Sequence, residues 1–184
     1  MQRKLFTARS ILLLLTIFIY GCTEEETTEP TDENLLINTS FEKNGKFSSD
    51  GWSLPALADS SNDVPTGGGS FSLQLEASQP PESYAYIKVP VKTQFNNYKL
   101  TFWAKSTGVT SGINGKAIFS LLRNGSSIKS LSIVVDDIIW KSYSIQDTFS
   151  VASGDSFMVH LTAGFSQLFS SKTYFDLCQL QGID

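Results

Sequence analysis

Few residues in this chain are able to do chemistry. Among 184 residues there is one histidine, His160, and there are two cysteines, Cys22 and Cys178. A nucleophile–base pair needs an activated Ser or Cys beside a histidine, and a zinc site needs a cluster of His and Cys ligands. No such constellation can be picked out. A glycosidase needs only two carboxylates, and Asp136-Asp137 is the most tempting pair. Neighbours on a strand point to opposite faces, and this pair interrupts two apolar runs, so it reads as a turn. Cys178, close to Leu177 and Leu180 in an apolar strand, reads as a small buried core residue instead of a reactive thiol. The expectation is a protein without catalysis.

What remains is recognition. Sugar binding needs aromatic faces for pyranose rings and a few placed polar groups for hydroxyls. In Tyr84-Ala85-Tyr86-Ile87-Lys88-Val89 the alternation puts Ala85, Ile87 and Val89 toward a core and turns Tyr84, Tyr86 and Lys88 outward. In Phe157-Met158-Val159-His160-Leu161-Thr162 the same parity turns His160 and Thr162 outward. Trp103 points outward against Phe102. Trp52 and Trp140 stand at strand starts and read as plugs for the ends of the core. Tyrosines also fit half-exposed strands for packing alone, and an aromatic face serves a protein partner as readily as a sugar.

Charge narrows the partner. From Asn34 onward basic and acidic residues are nearly balanced. Nucleic acid, which requires a basic footprint, is therefore excluded as a ligand. A balanced body suits an uncharged ligand.

These side chains must be positioned by strands. Short apolar or alternating runs recur at Leu35–Ile37, Ser70–Leu75, Ala85–Val91, Tyr98–Ala104, Ala117–Leu122, Leu131–Val135, Trp140–Val151, Phe157–Leu161 and Tyr174–Leu180. No helical period appears after residue 21, so the fold class is an all-β sandwich. Asn124-Gly125 is the strongest hairpin signal, since both residues tolerate positive φ.

Five segments carry a resemblance. Asn34–Glu42 with Gly51-Trp52, Gly69–Leu73, Tyr98–Lys105, Trp140–Tyr143 and Tyr174–Leu180 together resemble jelly-roll carbohydrate-binding modules of the galactose-binding-like kind. That resemblance implies a jelly-roll β-sandwich, and it makes the strands of Tyr84, Tyr86 and His160 neighbours in one sheet. Ser120, Ser130 and Ser132 join that face, and Trp103 goes to the opposite sheet. It also implies a polysaccharide or oligosaccharide as partner, which the balanced charge of the body makes a neutral one. A structural calcium ion would join the first and last strands, with Glu42 and Asp176 as carboxylate ligands and carbonyls near Gly69 assisting. The same superfamily serves adhesion, which keeps a protein partner open.

The start of the chain addresses it. Arg3, Lys4 and Arg9 precede the apolar run Ile11 to Tyr20, which is of export-signal length and too short for a permanent span. Ile19-Tyr20-Gly21-Cys22 resembles the lipobox of bacterial lipoproteins, which implies cleavage after residue 21 and lipid on Cys22. The domains expected are 1–21 as signal peptide, 22–33 as a flexible acidic linker and 34–184 as the sandwich. Residues 23–33 lack apolar side chains and carry many like charges. Acids soon after the lipidated cysteine resemble surface-export signals of some Bacteroidetes lipoproteins. The implied location is the bacterial outer membrane, anchored by lipid and facing the cell surface.

Overall fold

Alternation decides the architecture. The computed structural model describes residues 33–77, 84–107, 114–164 and 171–183. The expected signal peptide, Cys22 and all of the linker except Glu33 lie outside the described residues. Eleven strands follow in order: β1 Glu42–Lys43, β2 Lys46–Phe47, β3 Ala58–Ser61, β4 Ser72–Glu76, β5 Ala85–Pro90 and β6 Asn97–Thr107, then β7 Gly115–Arg123, β8 Ser126–Val135, β9 Lys141–Thr148, β10 Ser156–Thr162 and β11 Lys172–Ile183. They form a four-stranded sheet ordered β5-β10-β7-β8, a five-stranded sheet ordered β3-β4-β11-β6-β9, and the small pair β1-β2. Every pairing is antiparallel. No helix occurs among the described residues.

The inward rows fill one core. Ala85, Ile87 and Val89 of β5 meet Phe157, Val159 and Leu161 of β10 and Ala117, Phe119 and Leu121 of β7, all buried. The facing sheet supplies Leu73, Leu75, Leu100, Phe102, Ala104, Phe175 and Leu180. Aromatic rings lock the centre: Tyr98 and Phe157 centroids are 4.4 Å apart, and Phe119 and Phe149 are 5.0 Å apart. Each such side chain contributes about 2 to 3 kcal/mol by leaving water.

Turn chemistry closes the hairpins. Asn124 (φ 50°) and Gly125 (φ 80°) make the left-handed turn between β7 and β8 that their sequence predicts. Asn44 (φ 54°) and Gly45 (φ 70°) repeat the device between β1 and β2. This second hairpin was not anticipated, because its strands are only two residues each and show no alternation.

Two departures concern the last strand. β11 carries a bulge against β6 between Asp176 and Gln179, with Leu177 at φ 49°. The bulge resets the parity, so Phe175 and Cys178 both face the core. Leu35–Ile37, expected as a strand, instead lies along β11 through isolated bonds: the Leu35 amide donates to the Leu180 carbonyl at 2.7 Å, and the Cys178 amide to Thr39 at 2.8 Å. Left-handed Asn38 and Phe41 prevent a continuous ladder.

The two ends of the sandwich differ. Glu33 pairs with Lys92, and Tyr98 donates to the Lys92 carbonyl, at the end where β6 begins. At the other end the Ser106 amide donates to the Asp137 carbonyl. Along β6, Tyr98 and Ser106 are eight residues apart, about 27 Å of strand.

Candidate functional site

The four-stranded sheet builds its outer face in registered rows. Tyr86, His160, Ile118 and Ser132 are successive partners across β5, β10, β7 and β8. The next row is Lys88, Met158, Ser120 and Ser130. Tyr84, just ahead of β5, closes on the same histidine: ring centroids of Tyr84 and His160 are 5.1 Å apart, those of Tyr86 and His160 5.9 Å. Tyr84 and Tyr86 remain 36% and 41% exposed, enough to offer ring faces to a ligand. Burial between them pushes the His160 imidazole below its ordinary range, so it is neutral at pH 7. Toward β8 the face turns to hydroxyls: Ser120, Ser130 and Ser127 share bonds of 2.8 Å. Ser120 and Thr162 follow the outward parity yet are buried, and Thr162 accepts the Gly164 amide at 3.1 Å. Ser127, Ser130 and Ser132 are the exposed ones of these serines.

The carboxylate pair is a separate structure. The β1-β2 hairpin presents Glu42, whose Oε1 accepts the amides of Ser70 and Phe71. Asp176 stands at the bulge of β11, fully buried, with Oδ1 accepting the Leu177 amide at 2.7 Å and Oδ2 without a partner. Burial, with a smaller push from Glu42, raises the Asp176 carboxyl to about 7. A Cβ on Gly68 would strike Asp176 Oδ2 and one on Gly69 would strike the Glu42 carboxylate. Only glycine brings the 67–69 backbone this close to both acids. Phe41 and Leu177, each next to an acid, hold φ of 54° and 49°, at a cost of about 1 to 2 kcal/mol apiece. Three observations thus converge: an orphaned buried oxygen, a glycine cradle and paired backbone strain. Together they fit a hard cation with oxygen ligands. No group of three or more His, Cys, Asp or Glu occurs among the described residues, so backbone oxygens would complete any such site.

Trp103 lies on the outer face of the five-stranded sheet, in register with Asp176 and Ser142, apart from the tyrosines. Trp52 is 6% exposed and tilts against Phe41 at 5.1 Å, as a core plug should. Trp140 does not plug the core. Its Nε1 donates to Asp63 at 2.9 Å, and its ring and that of Tyr174 lie 5.4 and 5.1 Å from the Lys105 ammonium. Lys105 also pairs with Asp63. Burial would raise the Asp63 carboxyl, but its bonds from Lys105 and Trp140 outweigh that and hold it low.

Asp136-Asp137 sits in the turn between β8 and β9, where Asp137 accepts from Tyr143 at 2.9 Å and pairs with Lys141 at 2.8 Å. Asp137 is absorbed in structure, and Asp136 is exposed. Cys178 is fully buried and its thiol is pushed up by burial.

Neither a family model nor a curated protein matches this chain. Solved structures do. A family 16 carbohydrate-binding module is 22% identical, with a TM-score of 0.59 over 80% of this chain and 99% of that one. A family 61 module solved with β-1,4-galactotriose is 16% identical, with a TM-score of 0.54 over 82% and 99%. Its fold is that of the jelly-roll carbohydrate-binding modules. The enzymatically active domain of tailspike protein 4 from bacteriophage CBA120 also matches, at 16% identity and a TM-score of 0.62. This chain spans 21% of the tailspike domain, and 82% of its own length is matched.

Proposed function

We propose that this chain is a non-catalytic glycan-binding module, anchored by lipid on Cys22 and holding a polysaccharide at the bacterial outer membrane. The observation that carries the reading is the convergence of Tyr84, Tyr86 and His160 on one outward face of a sandwich that resembles carbohydrate-binding modules. Two exposed rings offer stacking surfaces, a neutral imidazole offers one donor and one acceptor, and serine hydroxyls lie two strands away. Asp137 is bound in a turn and His160 is flanked by tyrosines, which supports binding without catalysis.

Glu42 and Asp176 are the residues that would hold calcium, with carbonyl oxygens of the glycine loop. The ion would supply charge neutralisation for two acids that otherwise repel one another. It would fasten the β1-β2 hairpin and the 67–69 loop to the bulge of β11, and so support the fold instead of touching the sugar.

The test is a glycan array on the full-length protein in non-ionic detergent, repeated with Tyr84→Ala, Tyr86→Ala and His160→Ala. Glycan binding lost in these variants at unchanged melting temperature is the expected result. An empty array would move the face to a protein partner. For the anchor, Cys22→Ala should shift the protein from the detergent phase to the aqueous phase, because several acyl chains at about 0.8 kcal/mol per methylene are needed for stable attachment.

A further inference from the structure

The overall balance of charge led to the expectation of a neutral glycan, but the tyrosine face has a balance of its own. The four strands beneath it, β5, β7, β8 and β10, contain no Asp or Glu. They contain four cations, Lys88, Lys116, Arg123 and Lys129, beside the neutral His160. Two of these cations are spoken for: Arg123 grips Asp155 through bonds of 3.0 and 2.7 Å, and Lys129 pairs with Asp147 at 2.8 Å. Lys88 and Lys116 pair with no carboxylate among the described residues.

Their placement is ordered. His160 is in register with Tyr86 on one side and Ile118 on the other. Lys88 pairs with Met158 and Lys116 with Thr162, two residues from His160 in opposite directions on the two flanking strands. Lys88, His160 and Lys116 therefore define one diagonal across the sheet, with steps of about 8 Å between neighbours. The diagonal passes beside the ring of Tyr86.

A lysine on an edge strand such as β5 also serves to block sheet pairing, which would account for Lys88 alone. β7 is not an edge: it is paired on both sides, by β10 and β8. Lys116 has no such duty there. In a chain of net charge −4, four strands free of acids, with two lysines on one face that no described carboxylate pairs, are selective for negative charge.

We propose that this face takes an anionic glycan, with acidic groups met by Lys88 and Lys116 and a sugar ring held at Tyr86 and His160. The inference rests on the glycan-binding reading and names its ligand class. The negative groups are carboxylates of uronates or sulfate esters, which share the chemistry that an ammonium recognises.

The experiment is an array of neutral, uronate-bearing and sulfated polysaccharides on the full-length protein in non-ionic detergent. Each acidic hit is then re-measured after methyl esterification of carboxylates or after desulfation, which tells the two sources apart. Expected are acidic hits that weaken on removal of their charge and at 0.5 M salt, and about a fivefold loss for each of Lys88→Gln and Lys116→Gln. Neutral glycans bound as tightly as acidic ones, or affinity indifferent to both lysine changes at unchanged melting temperature, would overturn the anionic class and leave glycan binding standing. An array with no hits at all overturns both readings together.

Discussion

The outer faces of the two sheets carry similar residues in opposite states. On the five-stranded sheet Lys105 is wedged between Trp140 and Tyr174 and bound to Asp63, which also accepts from Trp140. Every strong group in that cluster already has its partner within the chain. On the four-stranded sheet the rings of Tyr84 and Tyr86 stay exposed, and Lys88 and Lys116 pair with no acid among the described residues. Aromatic rings beside a cation are thus common to both faces. Tyrosine rings exposed by more than a third belong to one.

The comparison is broken most directly by changing one face at a time. Tyr84→Ala with Tyr86→Ala should lower glycan affinity about a hundredfold, as paired aromatic anchors do at other interfaces, with no change in melting temperature. A double variant that still binds, measured by titration calorimetry, would shift attention to Trp103 on the other sheet.

The carboxylate pair comes next in size. Calcium at a hundred times its dissociation constant should stabilise the protein by about 2.7 kcal/mol through mass action, and chelator should reverse this. Asp176→Ala should melt at one temperature in both conditions. A wild-type melting curve indifferent to calcium would leave the glycine cradle without its ion.

Trp140→Ala should cost about 1 to 2 kcal/mol of stability, through lost packing and the orphaned Asp63 and Lys105, while glycan affinity stays as it was. Loss of affinity at unchanged stability would reverse the roles assigned to the two faces.

The smallest effect is a pH slope. The folded His160 holds its proton less tightly than the unfolded chain, whose imidazole titrates near 6.5. Its contribution to stability is full above about pH 6.5 and is lost as pH falls toward the lower folded value. Wild type should therefore lose more stability than His160→Gln between pH 7 and 5, in denaturant titrations of both. Parallel curves would show the imidazole to be less buried than the tyrosines imply.

The tyrosine face was legible in the sequence because half-exposed antiparallel strands alternate strictly. The positions of Ala85, Ile87 and Val89 dictate where Tyr84 and Tyr86 point. The resemblance supplied only that the two strands are neighbours; the register that sets Tyr86 against His160 is seen in the structure alone. Trp140 was misread because a tryptophan at a strand start reports a tendency to be buried, not against what. Its actual partners, Asp63 and Lys105, lie 77 and 35 positions away along the chain. β3 was missed because Ala58–Ser61 is a polar edge with no alternation. The bulge at Asp176 left no local mark either, since left-handed Leu177 is a tertiary demand on a residue that would not choose it.

The clasp between residues 34–42 and β11 has a mechanical consequence. Were the module held by lipid on Cys22 and loaded by a captured polymer, as proposed, the drag would enter the sandwich through residues 33 and 34. That pull is met first by Glu33 on Lys92, then by the Asn34 side chain on the Leu180 amide at 2.9 Å, the Leu35 amide on Leu180, and Thr39 on the Cys178 amide. Behind them stands Glu42, tied to the amides of Ser70 and Phe71 and facing Asp176 across the glycine loop. Survival under drag is governed by the rate at which this clasp opens, not by overall stability. An ion across the two acids would then act as a lock on a seat belt, setting the force at which the N-terminal segment peels away from its sheet.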